Sequence, residues 1–240
     1  MISENIANAI EIVSSFLSCR FPVDIESVCQ KLEITIKDDR PLDKDGYLVC
    51  QSGKKIIMIN SQITNRHRKR FIIAHELGHF LLHRDKLYSC EHISDVTQGH
   101  INSSLQEQEA NAFANELLIP RDDLKKHIPI TKITFDNIFD IANVFDVSVT
   151  HAAMQTILNS NTESEVLICY DKQWRKWYLS AHRYIYPRMI PQKCPINLKT
   201  ATFATDIAGI WTELYYGFVH QEVFCSYAER YLVLLSGDFR

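Results

Sequence analysis

The sequence predicts an α+β protein in two parts: helices around a small sheet over residues 1 to 158, then a β-rich domain over residues 159 to 240. Two observations carry this. Up to residue 158, most apolar residues recur at the three- and four-residue spacing of amphipathic helices, interrupted once by strand-like segments. Beyond the polar stretch NSNTESE, residues 159 to 165, the chain turns aromatic and β-branched with partial alternation, in EVLICYD, WRKWYLS, GIWTELYYGFVHQEVFCSY and ERYLVLLSG.

The elements follow in order. ENIANAIEIVSSFL repeats Ile6, Ala9, Ile10, Val13, Phe16 and Leu17 at helical spacing; Pro22 ends that pattern, and DIESVCQKL restarts it with Asp24 as N-cap. After the turn residues Pro41, Asp45 and Gly46, the segments YLVCQ and KKIIMIN flank Ser52-Gly53 and predict a small sheet or hairpin. A helix begins at Thr64 or Asn65 and runs through RHRKRFIIAHELGHFLLH, with Phe71, Ile72, Leu82, His75 and His79 on one face and Arg66, Arg68 and Lys69 outward. Residues 84 to 103 are polar and irregular. SLQEQEANAFANELL forms a second strong helix, capped by Ser103 or Ser104 and stopped by Pro120, and further helices are expected over 133 to 145 and 148 to 158.

With 46% hydrophobic residues and a formal net charge of -3, the composition is that of an ordinary globular protein and gives no uniformly basic surface for nucleic acid. Seven cysteines, an odd number without a CxxC pair, fit a reducing compartment better than a disulfide framework. No apolar run is long enough to span a bilayer and no basic leader opens the chain, so a cytoplasmic location away from membranes is expected.

The chemistry concentrates in AHELGHFLLH, residues 74 to 83. Four helical residues turn through about 400°, so His75 and His79 stand about 40° apart on one face and about 6 Å apart along the axis. Their ring nitrogens can meet on one zinc ion at about 2.0 to 2.1 Å. Glu76, rotated about 100° from His75, is placed beside the ion as a general base for the attacking water. A catalytic zinc needs a third protein ligand. His83 would stretch the set over about 12 Å of one straight helix, so it is assigned to the surface or to support of a ligand. On the second helix, Glu107, Ala110, Asn111, Ala114 and Leu118 share one stripe, and Glu109, Phe113 and Glu116 another. The first stripe suits the third ligand: its alanines admit a close approach opposite Gly78, and Asn111 can orient a ligating histidine. Glu109 reads as a solvated charge and stays as the alternative ligand.

AHELGHFLLH followed by EQEANAFANELLIP, residues 107 to 120, resembles the ImmA/IrrE family of zinc metallo-endopeptidases, whose signature is HExxH, then ExxANxFA and a Leu-Leu-x-Pro ending. The resemblance is close over residues 55 to 120 and extends more weakly from the N-terminus to about 158. It implies a zincin-like metallopeptidase domain over residues 1 to 158, with His75, His79 and Glu107 as zinc ligands and Glu76 as catalytic base. It also implies a protein partner, a helix-turn-helix transcriptional repressor, whose cleavage would relieve repression of a mobile element or of stress genes. The rival expectation is a catalytically weak or inactive module that keeps the fold and sequesters a protein partner. In such folds an edge strand pairs with the substrate backbone, and KKIIMIN is the expected place for it. His92, His100, Tyr88 and Tyr47 are candidates for stabilising the oxyanion.

Three other features have plainer readings. RHRKR, residues 66 to 70, is expected to be a solvated basic face. Residues 138 to 158 have a helix-turn-helix outline, but the stretch from Ile133 to Asn159 holds no Lys or Arg for phosphate contacts and carries Asp136, Asp140 and Asp146, so packing is expected instead of DNA binding. Trp174, Trp177, Tyr178, Trp211, Tyr215 and Tyr216 are expected to form the core of the β-rich domain.

Overall fold

The computed structural model describes residues 3 to 239 apart from 18–20, 39, 52, 84–103, 130, 162–163, 183, 200–203, 209, 212 and 228. The described residues form seven α-helices and two sheets, the mixture of a zincin-like α+β domain with a β-rich C-terminal part. They fall into two compact units, Met1–Pro120 with Val144–Asp146, and Arg121–Asn143 with Val147–Arg240.

In the first unit, α1 (Glu4–Ser14) buries Ile6, Ala9 and Val13, and α2 (Ile25–Lys31) starts where the Asp24 carboxylate accepts the Ser27 N–H at 3.0 Å. Strands β1 (Ile34–Lys37), β2 (Gly46–Gln51) and β3 (Lys54–Ile59) make a sheet of order β1-β3-β2, with β3 parallel to β1 and antiparallel to β2. KKIIMIN therefore supplies the central strand, not the edge expected of it. The physical reason is pairing along both sides: Ile34–Lys37 on one and Gly46–Gln51 on the other take up the main-chain groups of the strand. Among the described residues, the edges are β1 and β2.

Helix α3 (Arg66–Leu82) is capped by Asn65, whose side chain accepts the Arg68 N–H at 3.0 Å. Every residue from Phe71 to Phe80 is buried, because α3 packs on β2 and β3 of the sheet and also on α1, α2 and α4. Its first turn carries the RHRKR cations, which meet aspartates: Arg68 with Asp45 at 2.6 Å, Lys69 with Asp38 at 2.5 Å, and Arg66 and Arg70 with Asp146. Helix α4 (Leu105–Leu118) begins at Ser104, whose hydroxyl accepts the Glu107 N–H, and stops two residues before Pro120.

The second unit holds α5 (Arg121–Leu124), α6 (Phe135–Phe145, apart from its last two residues), α7 (Val149–Asn159) and an antiparallel sheet. Its strands are β4 (Glu165–Asp171), β5 (Trp174–Ser180), β6 (Ala204–Ala208), β7 (Tyr215–Tyr227) and β8 (Arg230–Phe239), in the order β5-β4-β8-β7-β6. Trp211 and Tyr215 lie in its core with Ile168, Tyr170 and Val233, whereas Trp174 is 57% exposed. The polar ends of both buried aromatics are satisfied: Trp211 Nε1–H donates to Gln221 Oε1 at 2.9 Å, and the Tyr215 hydroxyl donates to the Ser164 carbonyl at 3.0 Å.

The units part after Pro120, ahead of the change in composition at residues 159 to 165. Helix α7 packs on β4 and β5, burying Ala152, Ala153 and Ile157, and α6 is held at its start by the buried Glu222 of β7, which accepts the Phe135 N–H at 2.5 Å. Phe135 and Phe139 also pack against Phe224 of β7, the first tilted and the second edge-on. Periodicity shows that such a helix has an apolar face; it does not show which neighbour will cover it. A chain ending near residue 160 is accordingly expected to aggregate and to bind an apolar-surface dye. A soluble, cooperatively melting, dye-silent fragment would show that α6 and α7 do not need the sheet.

Candidate metal centre

Helices α3 and α4 bring His75, His79 and Glu107 together. His75 Nε2 and His79 Nε2 lie 3.0 Å apart, and the two Glu107 oxygens stand 3.2 Å from one nitrogen each. The histidines are buried at one helical turn's separation, and the Glu107 side chain is 14% exposed. Donors on a tetrahedral ion bonded at about 2.0 to 2.1 Å are spaced by about 3.3 to 3.4 Å, so this set fits zinc in chemistry and in spacing. Burial alone raises the Glu107 carboxyl, but the hydrogen bonds and charge of His75 and His79 outweigh it and hold the group well below the usual carboxylate range. The third donor is therefore ionised, as a ligand must be.

Asn111, one turn beyond Glu107, places Oδ1 2.9 Å from His75 Nδ1. A carboxamide oxygen can only accept, so His75 carries a proton on Nδ1, and Nε2 is the nitrogen that would turn a lone pair to a metal ion on giving up its hydrogen bond to Glu107. The close approach of the helices rests on Gly78: a Cβ there would lie 3.1 Å from Ala110 Cα and 3.1 Å from Phe113 Cδ1. Gly78→Val is therefore expected to push α4 and Glu107 outward, costing about 1 to 3 kcal/mol of stability and much of the metal affinity. A parental melting temperature and zinc content in that variant would show that the crossing tolerates a side chain.

Glu76 is fully buried on α3 and does not join the three-residue cluster. It lies beside the start of β2, where a Cβ on Gly46 would come within 3.9 Å of Glu76 Oε1 and collide with Ile72 Cγ2 at 2.6 Å and the Met58 carbonyl at 2.8 Å. Tyr47 follows on the same strand, half-buried; His92, His100 and Tyr88 lie outside the described residues.

Two further residues stand beside the cluster. His83, the C-cap of α3, is not a ligand: its Nδ1 faces His79 Nδ1 at 3.2 Å, on the ring side away from the cluster. Glu109 is neither a ligand nor a solvated charge, for its carboxylate meets His83 Nε2 at 2.9 Å with the Glu109 side chain 30% exposed. The available signal was the repeated four-residue spacing His75, His79, His83, which stacks three imidazoles along one stripe.

A family model described as the IrrE N-terminal-like domain, Peptidase M78, matches residues 29 to 155, more than half of the chain. The chain belongs to this peptidase family. The match contains the sheet, the ligand helices and all four residues singled out from the sequence. No curated protein matches the chain significantly. Among solved structures, a Mycobacterium tuberculosis transcriptional regulator is similar over 98% of this chain and 76% of its own, with a TM-score of 0.57 and 13% identity, a likeness of fold. The M78 domain is thus a peptidase-type fold with a candidate metal site. None of its described helices is long and apolar enough to cross a membrane.

Proposed function

We propose that this protein is a zinc-dependent endopeptidase that acts on a helix-turn-helix transcriptional repressor. The observation that carries the reading is the convergence of His75 Nε2, His79 Nε2 and the Glu107 carboxylate on one point, with a buried glutamate next in sequence to the first histidine. His75, His79 and Glu107 would hold the ion, and zinc supplies there the polarisation of a peptide carbonyl and the acidification of water. Glu76 takes the proton of the attacking water and passes it to the amide nitrogen as the C–N bond breaks, leaving one carboxylate and one amine.

The substrate strand is assigned to β2. It is an edge among the described residues, it is antiparallel to β3, and its first residue lies against Glu76. Main-chain pairing along such an edge accepts an extended segment and places few demands on its side chains. The cut accordingly falls in a linker or a locally unfolded part of the repressor, and a fully folded repressor is cut slowly. The repressor itself follows from the family resemblance, and its cleavage would release a mobile element or stress genes from repression.

The test is incubation with the repressor encoded beside this protein's gene, with and without a chelator, followed by intact-mass analysis and an operator gel shift. Two fragments whose masses sum to the repressor plus one water, formed only without chelator, are expected. An intact repressor held in a stable complex would favour the sequestering module.

A further inference from the structure

Beside the three donors, a part-buried imidazole and a part-buried carboxylate continue in line from one of them. We propose that His83 and Glu109 are positioning residues that act in series on His79, fixing its tautomer and ring orientation for the metal; the proposal rests on the reading of His79 as a zinc ligand. His79 directs Nε2 at the cluster, so a metal-binding His79 keeps its proton on Nδ1. That N–H faces His83 Nδ1 at 3.2 Å. His83 must then accept at Nδ1 and carry its own proton on Nε2, where the Glu109 carboxylate accepts it at 2.9 Å. One assignment of protons satisfies all of these atoms. The alternative tautomer of His83 would set two N–H groups against each other and leave Glu109 facing a lone pair.

The two ligating histidines are thus held in different ways. His75 meets Asn111, whose carboxamide oxygen accepts without further help. His79 meets a second imidazole, which can donate or accept, and a negative group beyond it is needed to choose. Glu109 makes that choice from α4, two residues from Glu107, so the helix that supplies the third ligand also orients the second. The His83 side chain is only 8% exposed, which keeps water from competing for Nδ1 of either ring. A carboxylate at the end of the relay also makes His79 a stronger donor to the metal.

The experiment measures zinc affinity of the full chain by chelator competition at one fixed pH, together with the visible spectrum of the cobalt-substituted protein. His83→Phe keeps a ring and removes the acceptor; it is expected to weaken zinc about 10- to 100-fold and to shift the cobalt bands. His83→Gln can place a carbonyl oxygen toward His79 and should recover part of the loss. Glu109→Leu should weaken zinc on the order of ten-fold, and Glu109→Gln, at a half-buried position that does not threaten folding, by less. Residues acting in series are non-additive, so the double variant His83→Phe/Glu109→Leu should bind no worse than His83→Phe alone. Affinities within two-fold of the parent, or losses that add in the double variant, would overturn the relay. A parent chain that binds no zinc would overturn it together with the proposed function. A graded affinity series without repressor cleavage would uphold the relay and remove the endopeptidase.

Discussion

Glu76→Gln is expected to hold zinc as the parent protein does and to cleave its substrate at least about 100-fold more slowly, the lower end of what a positioned general base contributes. The exchange keeps the shape of the side chain and removes its capacity to take a proton. Shape matters because Glu76 is fully buried beside Gly46, where even one added carbon would collide with Ile72 and Met58. Metal content by elemental analysis and fragment formation by mass separate the two properties. Zinc lost from the variant would place Glu76 among the ligands, and cleavage at the parental rate would assign the base to another residue. The variant has a further use: it should trap the repressor uncut, so a complex seen with Glu76→Gln and fragments seen with the parent would exclude simple sequestration.

The clustering of His75, His79 and Glu107 was legible in the sequence because helical geometry is local. A spacing of four residues fixes where His75 and His79 stand, whatever the rest of the chain does. The same logic separated Glu107 from Glu109 by helix face and paired Asn111 with His75, and the structure brings Asn111 Oδ1 to 2.9 Å from His75 Nδ1. Gly78 was legible as a close crossing for a similar reason: among alanines on the opposing stripe, a missing side chain marks where backbones approach.

What escaped the sequence depends on partners distant in the chain. KKIIMIN has the composition of a strand, but its place in the sheet depends on Ile34–Lys37 pairing along its other side, and no local pattern announces that. Glu109 looked solvated because its helix face was judged alone; its environment is set by His83, 26 residues earlier. Helices α6 and α7 find partners in β4, β5 and β7, beyond the polar stretch that marks the change in composition, and no local pattern names those strands. In each case the residue type was informative and the neighbour was not.

Glu107→Ala is expected to lose zinc on the order of 100-fold or more. Structural zinc sites with four ligands bind with about 10 to 16 kcal/mol, so one ligand accounts for roughly 3 kcal/mol, and about 1.4 kcal/mol is a factor of ten. Two further costs make this a lower bound. The Glu107 carboxylate neutralises part of the ion's charge inside a buried cluster, where charge is costly to leave unmatched. It also meets both histidine nitrogens at 3.2 Å, so its removal loosens the donors that remain. Zinc affinity by chelator competition decides the matter when Glu107→Ala and Glu109→Ala are measured together. Loss through the relay should stay near ten-fold for Glu109→Ala, while loss of a ligand should exceed it by at least a further order of magnitude. The reverse ranking would make Glu109 the third ligand, rotate α4 by about half a turn, and remove both the metal geometry and the series coupling through His83.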